Sequence, residues 1–169
     1  AERMETLLKD LLWLSRIETE ERQEKHEQVD MAGLLQELRD ELASSHPDRQ
    51  LELSLETDRK VCGDYRELYS AVSNLVSNAF KYSATDSTVK IVWELADDHG
   101  RLSVEDQGMG IDTVHIPRLT ERFYRVDDSR SSATGGTGLG LAIVKHVAAA
   151  HGAQLTIDST LGQGSTFTL

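Results

Sequence analysis

The apolar residues of this chain change their repeat several times, and that alternation restricts the fold more than any other feature. Leu51, Leu53 and Leu55 recur at every second position, as one face of a strand does. Leu68, Ala71, Val72, Leu75, Val76, Ala79 and Phe80 then recur at helical spacing, which predicts a helix over 64–82. Val89, Ile91, Trp93 and Leu95 return to period two, and Leu102 and Val104 mark another strand. A helix is expected from Gly138 to His151, followed by two closing strands holding Leu155 and Ile157, then Phe167 and Leu169. Upstream, a helix fits 31–45 and stops at His46-Pro47, because a residue before proline is pushed out of the helical region. Residues 108–136 are rich in Gly, Ser and Thr, with one short helix near 114–120. Helices gathered against one mixed sheet make an α+β fold, a two-layer α/β sandwich.

The first 24 residues read as a further helix, with Met4, Leu7, Leu8, Leu11, Leu12, Leu14 and Ile17 on its stripe and Trp13 off it. Such a helix cannot bury its apolar face alone and calls for a partner helix, in cis or from another subunit, which this sequence does not supply. The 169 residues therefore divide into 1–24, an appended helix, and 25–169, a compact domain.

Three constellations carry chemistry. On the helix 64–82, Glu67, Asn74, Asn78 and Lys81 fall on one flank of the apolar stripe at about 100° per residue. Asn is a poor helix-interior residue, because its amide competes for backbone groups. A pair at i and i+4 followed by a cation reads as a site rather than as a solvated face. An amide oxygen is a hard, neutral ligand suited to Mg2+. In Val104-Glu105-Asp106-Gln107-Gly108-Met109-Gly110, Asp106 shares the inward parity of Leu102 and Val104. A carboxylate turned inward needs donors, and the exocyclic amine of a purine is one. Gly108 and Gly110 let backbone approach a ligand, although a plain turn uses the same residues. Finally, Gly135-Gly136-Thr137-Gly138-Leu139-Gly140-Leu141 opens a helix. Free N–H groups and a partial positive charge there suit phosphate. This is neither the Walker loop nor the dinucleotide fingerprint, and by itself it reads equally well as a flexible linker.

Charge narrows the partners. The formal net charge is −11, which argues against nucleic acid. A chain this acidic must gather its cations locally to hold a polyphosphate. Arg118, Arg122, Arg125 and Arg130 are gathered, but Glu121, Asp127 and Asp128 lie among them, and on charge alone the segment reads as a solvated loop. The single Cys62 allows neither an internal disulfide nor a cysteine zinc site and fits a reducing cytosol. No signal peptide and no apolar run of about 20 residues are found.

In this order and spacing the segments resemble the histidine-kinase branch of the ATPase superfamily shared with gyrase-type, Hsp90-type and mismatch-repair ATPases. Asn74 to Ser83 is similar to the family's N box, Asp106 to Gly110 to its G1 box, Glu121 to Arg125 to its F box and Gly136 to Leu141 to its G2 box. The likeness spans 28–169. Asp10 to Glu18 resembles the second helix of the family's dimerisation hairpin, and Ile116 to Asp127 is most similar to phosphate-starvation sensor kinases.

The resemblance implies the Bergerat ATP-binding fold, with ATP and Mg2+ as ligands. It implies that Asn78 coordinates Mg2+ while Asn74 lines the phosphates. Lys81 would reach a phosphate, Tyr82 pack on adenine and Asp106 accept the adenine amine, beside Gly108 and Gly110. Arg125 would steady the γ-phosphate, joined by Arg130 when a lid closes. Gly136, Thr137, Gly138, Leu139 and Gly140 would end that lid against the phosphates. Residues 126–137, with almost no apolar anchor, would order only around nucleotide. The implied partners are a phosphoacceptor hairpin in cis or in trans, a response regulator, and a second copy in a homodimeric parent. That parent would be an inner-membrane sensor with this portion cytosolic.

One departure stands out. The family's receiver is a His followed by Glu or Asp and then Leu-Arg-Thr-Pro, and none of His26, His46, His99, His115, His146 or His151 has that context. A piece cut inside the hairpin is the expected explanation. Two other functions stay open: an ATP-hydrolysing machine of the same superfamily, and a non-enzymatic nucleotide-sensing or helix-pairing module.

Overall fold

The computed structural model describes residues 2–19, 27–83, 86–106, 139–160 and 164–168. The predicted short helix near 114–120 lies outside them. Two helices start on aspartate caps. Helix α2 (Met31–Ser45) follows Asp30, whose carboxylate accepts from the Gly33 N–H at 3.3 Å. Helix α3 (Tyr65–Tyr82) follows Asp64, whose carboxylate accepts from the Arg66 and Glu67 N–H groups at 2.9 and 3.1 Å. Each cap satisfies donors that the first helical turn leaves open.

Strands β2 (Gln50–Leu55), β4 (Thr88–Ala96), β5 (His99–Asp106), β6 (Thr156–Thr160) and β7 (Gly164–Thr168) form one sheet in the order β2-β4-β5-β7-β6. The β2–β4 pair is parallel and the other pairs are antiparallel, so the sheet is mixed, as expected. The β4–β5 hairpin turns through Asp97 and Asp98, at φ 50° and 65°, the left-handed conformation that a tight two-residue hairpin requires.

The core lies between the sheet and the helices. Leu34, Leu35 and Leu38 of α2 meet Val72, Leu75 and Val76 of α3, and these pack with Val89, Ile91 and Val104 of the sheet. Helix α4 (Gly140–Ala150) adds Ile143, Val144 and Val147. Each such side chain contributes roughly 1.5–3 kcal/mol of burial. Leu95, expected inward, is 40% exposed, near the hairpin end of β4.

Two features depart from the sequence reading. Glu27–Asp30 and Lys60–Gly63 are strands β1 and β3, paired antiparallel in a separate ribbon. Helix α1 (Glu2–Thr19) packs against α4 of the same chain, with Leu14 only 1% exposed and Leu7 and Leu11 half-buried. One face of α1 therefore finds its partner within this sequence, contrary to expectation. The adjoining flank leaves Met4, Leu8 and Leu12 exposed.

Candidate functional site

Helices α3 and α4 bring two of the sequence-predicted segments together. A Cβ added to Gly140 would lie 3.0 Å from Asn74 Oδ1, so the start of α4 rests on the Asn74 amide. That amide is held from the other side, because its Nδ2 donates to the Ser70 carbonyl at 2.8 Å. Asn74 thus bridges its own helix and the first residue of the next one. The position before α4 is Leu139, fully buried, whose apolar side chain makes no cap bond. The first-turn N–H groups of an α-helix have no intrahelical acceptor, the arrangement that favours an anion.

The other ends of these elements fix the orientation. His151 closes α4, and its Nε2 accepts from the Asp64 N–H at 3.0 Å at the start of α3. Asn74, near the middle of α3, meets Gly140 at the start of α4. The two helices therefore run antiparallel, and α3 carries Asn78, Lys81 and Tyr82 beyond the point where α4 begins. Asn78 and Lys81 are half-buried. Strand β5 begins beside the His151 end of α4, where Gly100 and His151 line one cavity. It ends at Asp106, which is buried at 8% exposure, as its inward parity with Leu102 and Val104 predicts. Asp106, Gly140, Asn74 and Asn78 thus lie toward the same end of the domain.

Two residues that the sequence reading gave no role hold the far end of α3. Arg49 donates to the Ser83 carbonyl at 3.3 Å and to the Ser83 hydroxyl, and its guanidinium lies 4.9 Å from the centre of the Phe80 ring. The His46 ring packs on the same phenyl at 5.3 Å. Both act across more than thirty residues of sequence, and no local signal marks them. Glu67, on the same flank as the asparagines, sits 3.9 Å from His151 Nδ1 at the opposite end of α4. Gly108, Gly110, Arg125, Arg130, Gly136, Thr137 and Gly138 lie outside the described residues, as does the side chain of Tyr82.

Among the described residues no cluster of His, Cys, Asp and Glu could hold a metal. No described helix is long and apolar enough to cross a membrane.

Residues 63–169 match the family model described as histidine kinase-, DNA gyrase B- and HSP90-like ATPase. The phosphate regulon sensor protein PhoR of Pseudomonas aeruginosa is 47% identical over 99% of this chain, which covers 38% of that protein. The sensor-like histidine kinase SenX3 of Mycobacterium tuberculosis is 40% identical over the whole chain, covering 42% of that protein. The chain thus spans less than half the length of these relatives. Among solved structures, the mycobacterial sensor histidine kinase MprB superposes with a TM-score of 0.74 at 32% identity, over 85% of this chain and 94% of that one. Full-length ShkA, solved with AMPPNP, gives 0.80 at 26% identity, over 96% of this chain and 34% of that one.

Proposed function

Because the chain belongs to the histidine kinase-, DNA gyrase B- and HSP90-like ATPases, and within them to the sensor histidine kinases, we propose that it binds Mg2+·ATP where α3 meets the start of α4. In this reading it donates the γ-phosphate to a histidine on a separate hairpin segment. The observation that carries the proposal is the seating of Gly140 on Asn74 at the start of α4, with a buried carboxylate, Asp106, ending β5 toward the same end. The ATP analogue in the ShkA structure supports the same ligand class.

The residues divide the work. Asp106 accepts the adenine amine, a contact that selects a purine with an exocyclic donor. Asn74 fixes the start of α4, whose first-turn N–H groups take phosphate oxygens. Asn78 offers an amide oxygen to Mg2+, which supplies charge neutralisation across the phosphates when bound. Lys81 adds a cation at the same end, and Arg125 and Arg130 are assigned to the γ-phosphate. Residues 1–24 are the second helix of a dimerisation hairpin and 25–169 the catalytic domain. Such a site works by orientation and electrostatic stabilisation rather than by a protein nucleophile. The acceptor is a neutral imidazole in cis or in trans. A response regulator, and a homodimeric parent held at a membrane by its other parts, complete the proposal.

Hydrolysis is the weaker reading. The superfamily's hydrolases are understood to carry a water-activating glutamate where Asn74 stands. An amide cannot take a proton from water, and this one is committed to Ser70. Glu67 is turned to the other end of α4. Calorimetry with ATP, with and without Mg2+, tests the binding half. Saturable binding tightened by Mg2+ is expected, and no heat at millimolar ATP overturns it.

A further inference from the structure

The last turn of α3 has little burial of its own. Its small Ala79 side chain is fully buried, whereas Phe80 and Lys81 are half-buried. The helix then ends on Ser83 in extended backbone, at φ −112° and ψ 153°, without the left-handed residue that commonly closes a helix. Its final carbonyls therefore call for a donor from elsewhere. Arg49 is that donor. One guanidinium nitrogen donates to the Ser83 carbonyl at 3.3 Å and the other to the Ser83 hydroxyl. The same cation lies 4.9 Å from the centre of the Phe80 ring, and the His46 ring packs on that phenyl at 5.3 Å. The Arg49 Nε–H is buried with no hydrogen-bond partner, so the head group gives up a bond to water to sit there. Its base is firm, because the Arg49 N–H donates to the His46 carbonyl at 3.1 Å and the His46 N–H to the Leu42 carbonyl at 2.8 Å.

We propose that Arg49 is a positioning residue for the nucleotide site: clamped on Ser83 and Phe80, it holds the end of α3 so that Asn78 and Lys81 meet the metal and the phosphates. This role rests on the nucleotide site proposed for that end of the domain. Arg49 itself touches no nucleotide in this arrangement. Asn74 is fixed from one side by Gly140, and Ser83 from the other by Arg49. Asn78 and Lys81 lie between these two anchors, on about 14 Å of helix. Without the second anchor the last turn is free to fray, as helix ends do. A ligand whose competent state is only partly populated binds more weakly by that fraction. The planar fork of an arginine suits the task, since it reaches two oxygens and lies on an aromatic face at once.

The test is calorimetry with ATP, read as the ratio of the affinities with and without Mg2+. In Arg49→Met this ratio is expected to fall about threefold to tenfold, as it would if the last turn were in place about a tenth to a third of the time. Ser83→Ala removes only the hydroxyl acceptor, so it should fold even where Arg49→Met does not, and it should lower the ratio in the same direction. Arg101→Met breaks the Arg101–Glu94 ion pair on the β4–β5 hairpin and should leave the ratio unchanged. In an Asn78→Ala background, Arg49→Met should cost no further Mg2+-dependent tightening. Without nucleotide, amide exchange at Phe80 and Lys81 should quicken about tenfold in Arg49→Met while Leu75 and Val76 stay protected. A ratio unchanged in both Arg49→Met and Ser83→Ala, an equal fall in Arg101→Met, or unchanged exchange at Phe80 and Lys81 would each overturn the role of Arg49 alone. Absence of ATP binding to the unmodified chain would overturn the nucleotide site, and this role with it.

Discussion

Gly140→Ala isolates the contact on which the proposed nucleotide site rests. The new methyl would lie 3.0 Å from Asn74 Oδ1, 3.6 Å from its Cγ and 3.8 Å from its Cβ. Either the amide or the start of α4 must yield by a few tenths of an ångström. The amide yields only by loosening its 2.8 Å bond to the Ser70 carbonyl, a loss of about 0.5–1.5 kcal/mol. Against this, alanine is better than glycine in a helix by about 0.5–1 kcal/mol. Unfolding stability should therefore change by less than about 1 kcal/mol, because the two terms oppose. Nucleotide affinity has no such compensation, since in the proposed site the displaced groups face the phosphates. ATP binding should weaken about threefold to tenfold, or roughly 0.7–1.4 kcal/mol. Urea unfolding and calorimetry on Gly140→Ala, Asn74→Ala and the double variant complete a cycle. In the Asn74→Ala background the alanine at 140 meets no amide, and its cost to ATP binding should nearly vanish. An equal cost in both backgrounds would refute the reasoning, as would unchanged ATP affinity in the single variant.

Asp106→Asn should weaken ATP binding by about 1.5–3 kcal/mol, the cost of replacing a buried charge-assisted acceptor, and unchanged affinity by calorimetry would remove Asp106 from base recognition. Asn78→Ala should lose the Mg2+-dependent part of ATP binding more than the metal-free part, with Asn74→Ala losing less of it. Equal losses with and without Mg2+ would take Asn78 out of the ligand set. The Tyr65 hydroxyl donates to Glu37, and this bond first, then desolvation and the Glu37 charge, push its pKa up to about 12. Its folded value lies above the unfolded one, near 10, so the stability it contributes is complete below about pH 10 and is lost as pH rises toward 12. Ultraviolet titration, differenced against Tyr65→Phe, should show the high midpoint, and Glu37→Ala should return it toward 10; a Tyr65 midpoint near 10 in the unmodified chain would contradict the assignment.

Much of the fold was legible because its signals were local. Asp30 and Asp64 are caps, and they set the starts of α2 and α3. The parity of Leu102, Val104 and Asp106 gave the inward carboxylate from spacing alone. Strands β1 and β3 were not legible, because each has four residues and shows a single apolar side chain, Val29 or Val61, inward. Their pairing joins residues 30 to 36 positions apart, which periodicity does not report. The stripe of α1 was read correctly as amphipathic, yet it is wide enough to offer two faces. Only the tertiary position of α4 decides that Leu14 is buried while Leu8 and Leu12 are exposed. In the proposed site, Asn74, Asn78 and Asp106 were singled out from residue type and spacing, and the structure turns Asp106 inward and seats Asn74 against Gly140. Arg49, His46 and His151 were missed, because they act through contacts across the fold.

The claim that this chain is the phosphoryl-donor half of a sensor kinase meets its most direct test in a transfer assay. The chain is incubated with γ-labelled ATP and Mg2+, alone and with a separate protein carrying a complete phosphoacceptor hairpin. Alone it should acquire no acid-labile, base-stable label on His26, His46, His99, His115, His146 or His151, since none has the receiver context. With the hairpin, label should appear on the hairpin histidine, weakly, because the effective concentration of a tethered acceptor is missing. Label on one of the chain's own histidines, or ATP consumed to inorganic phosphate with an unlabelled hairpin, would contradict the account.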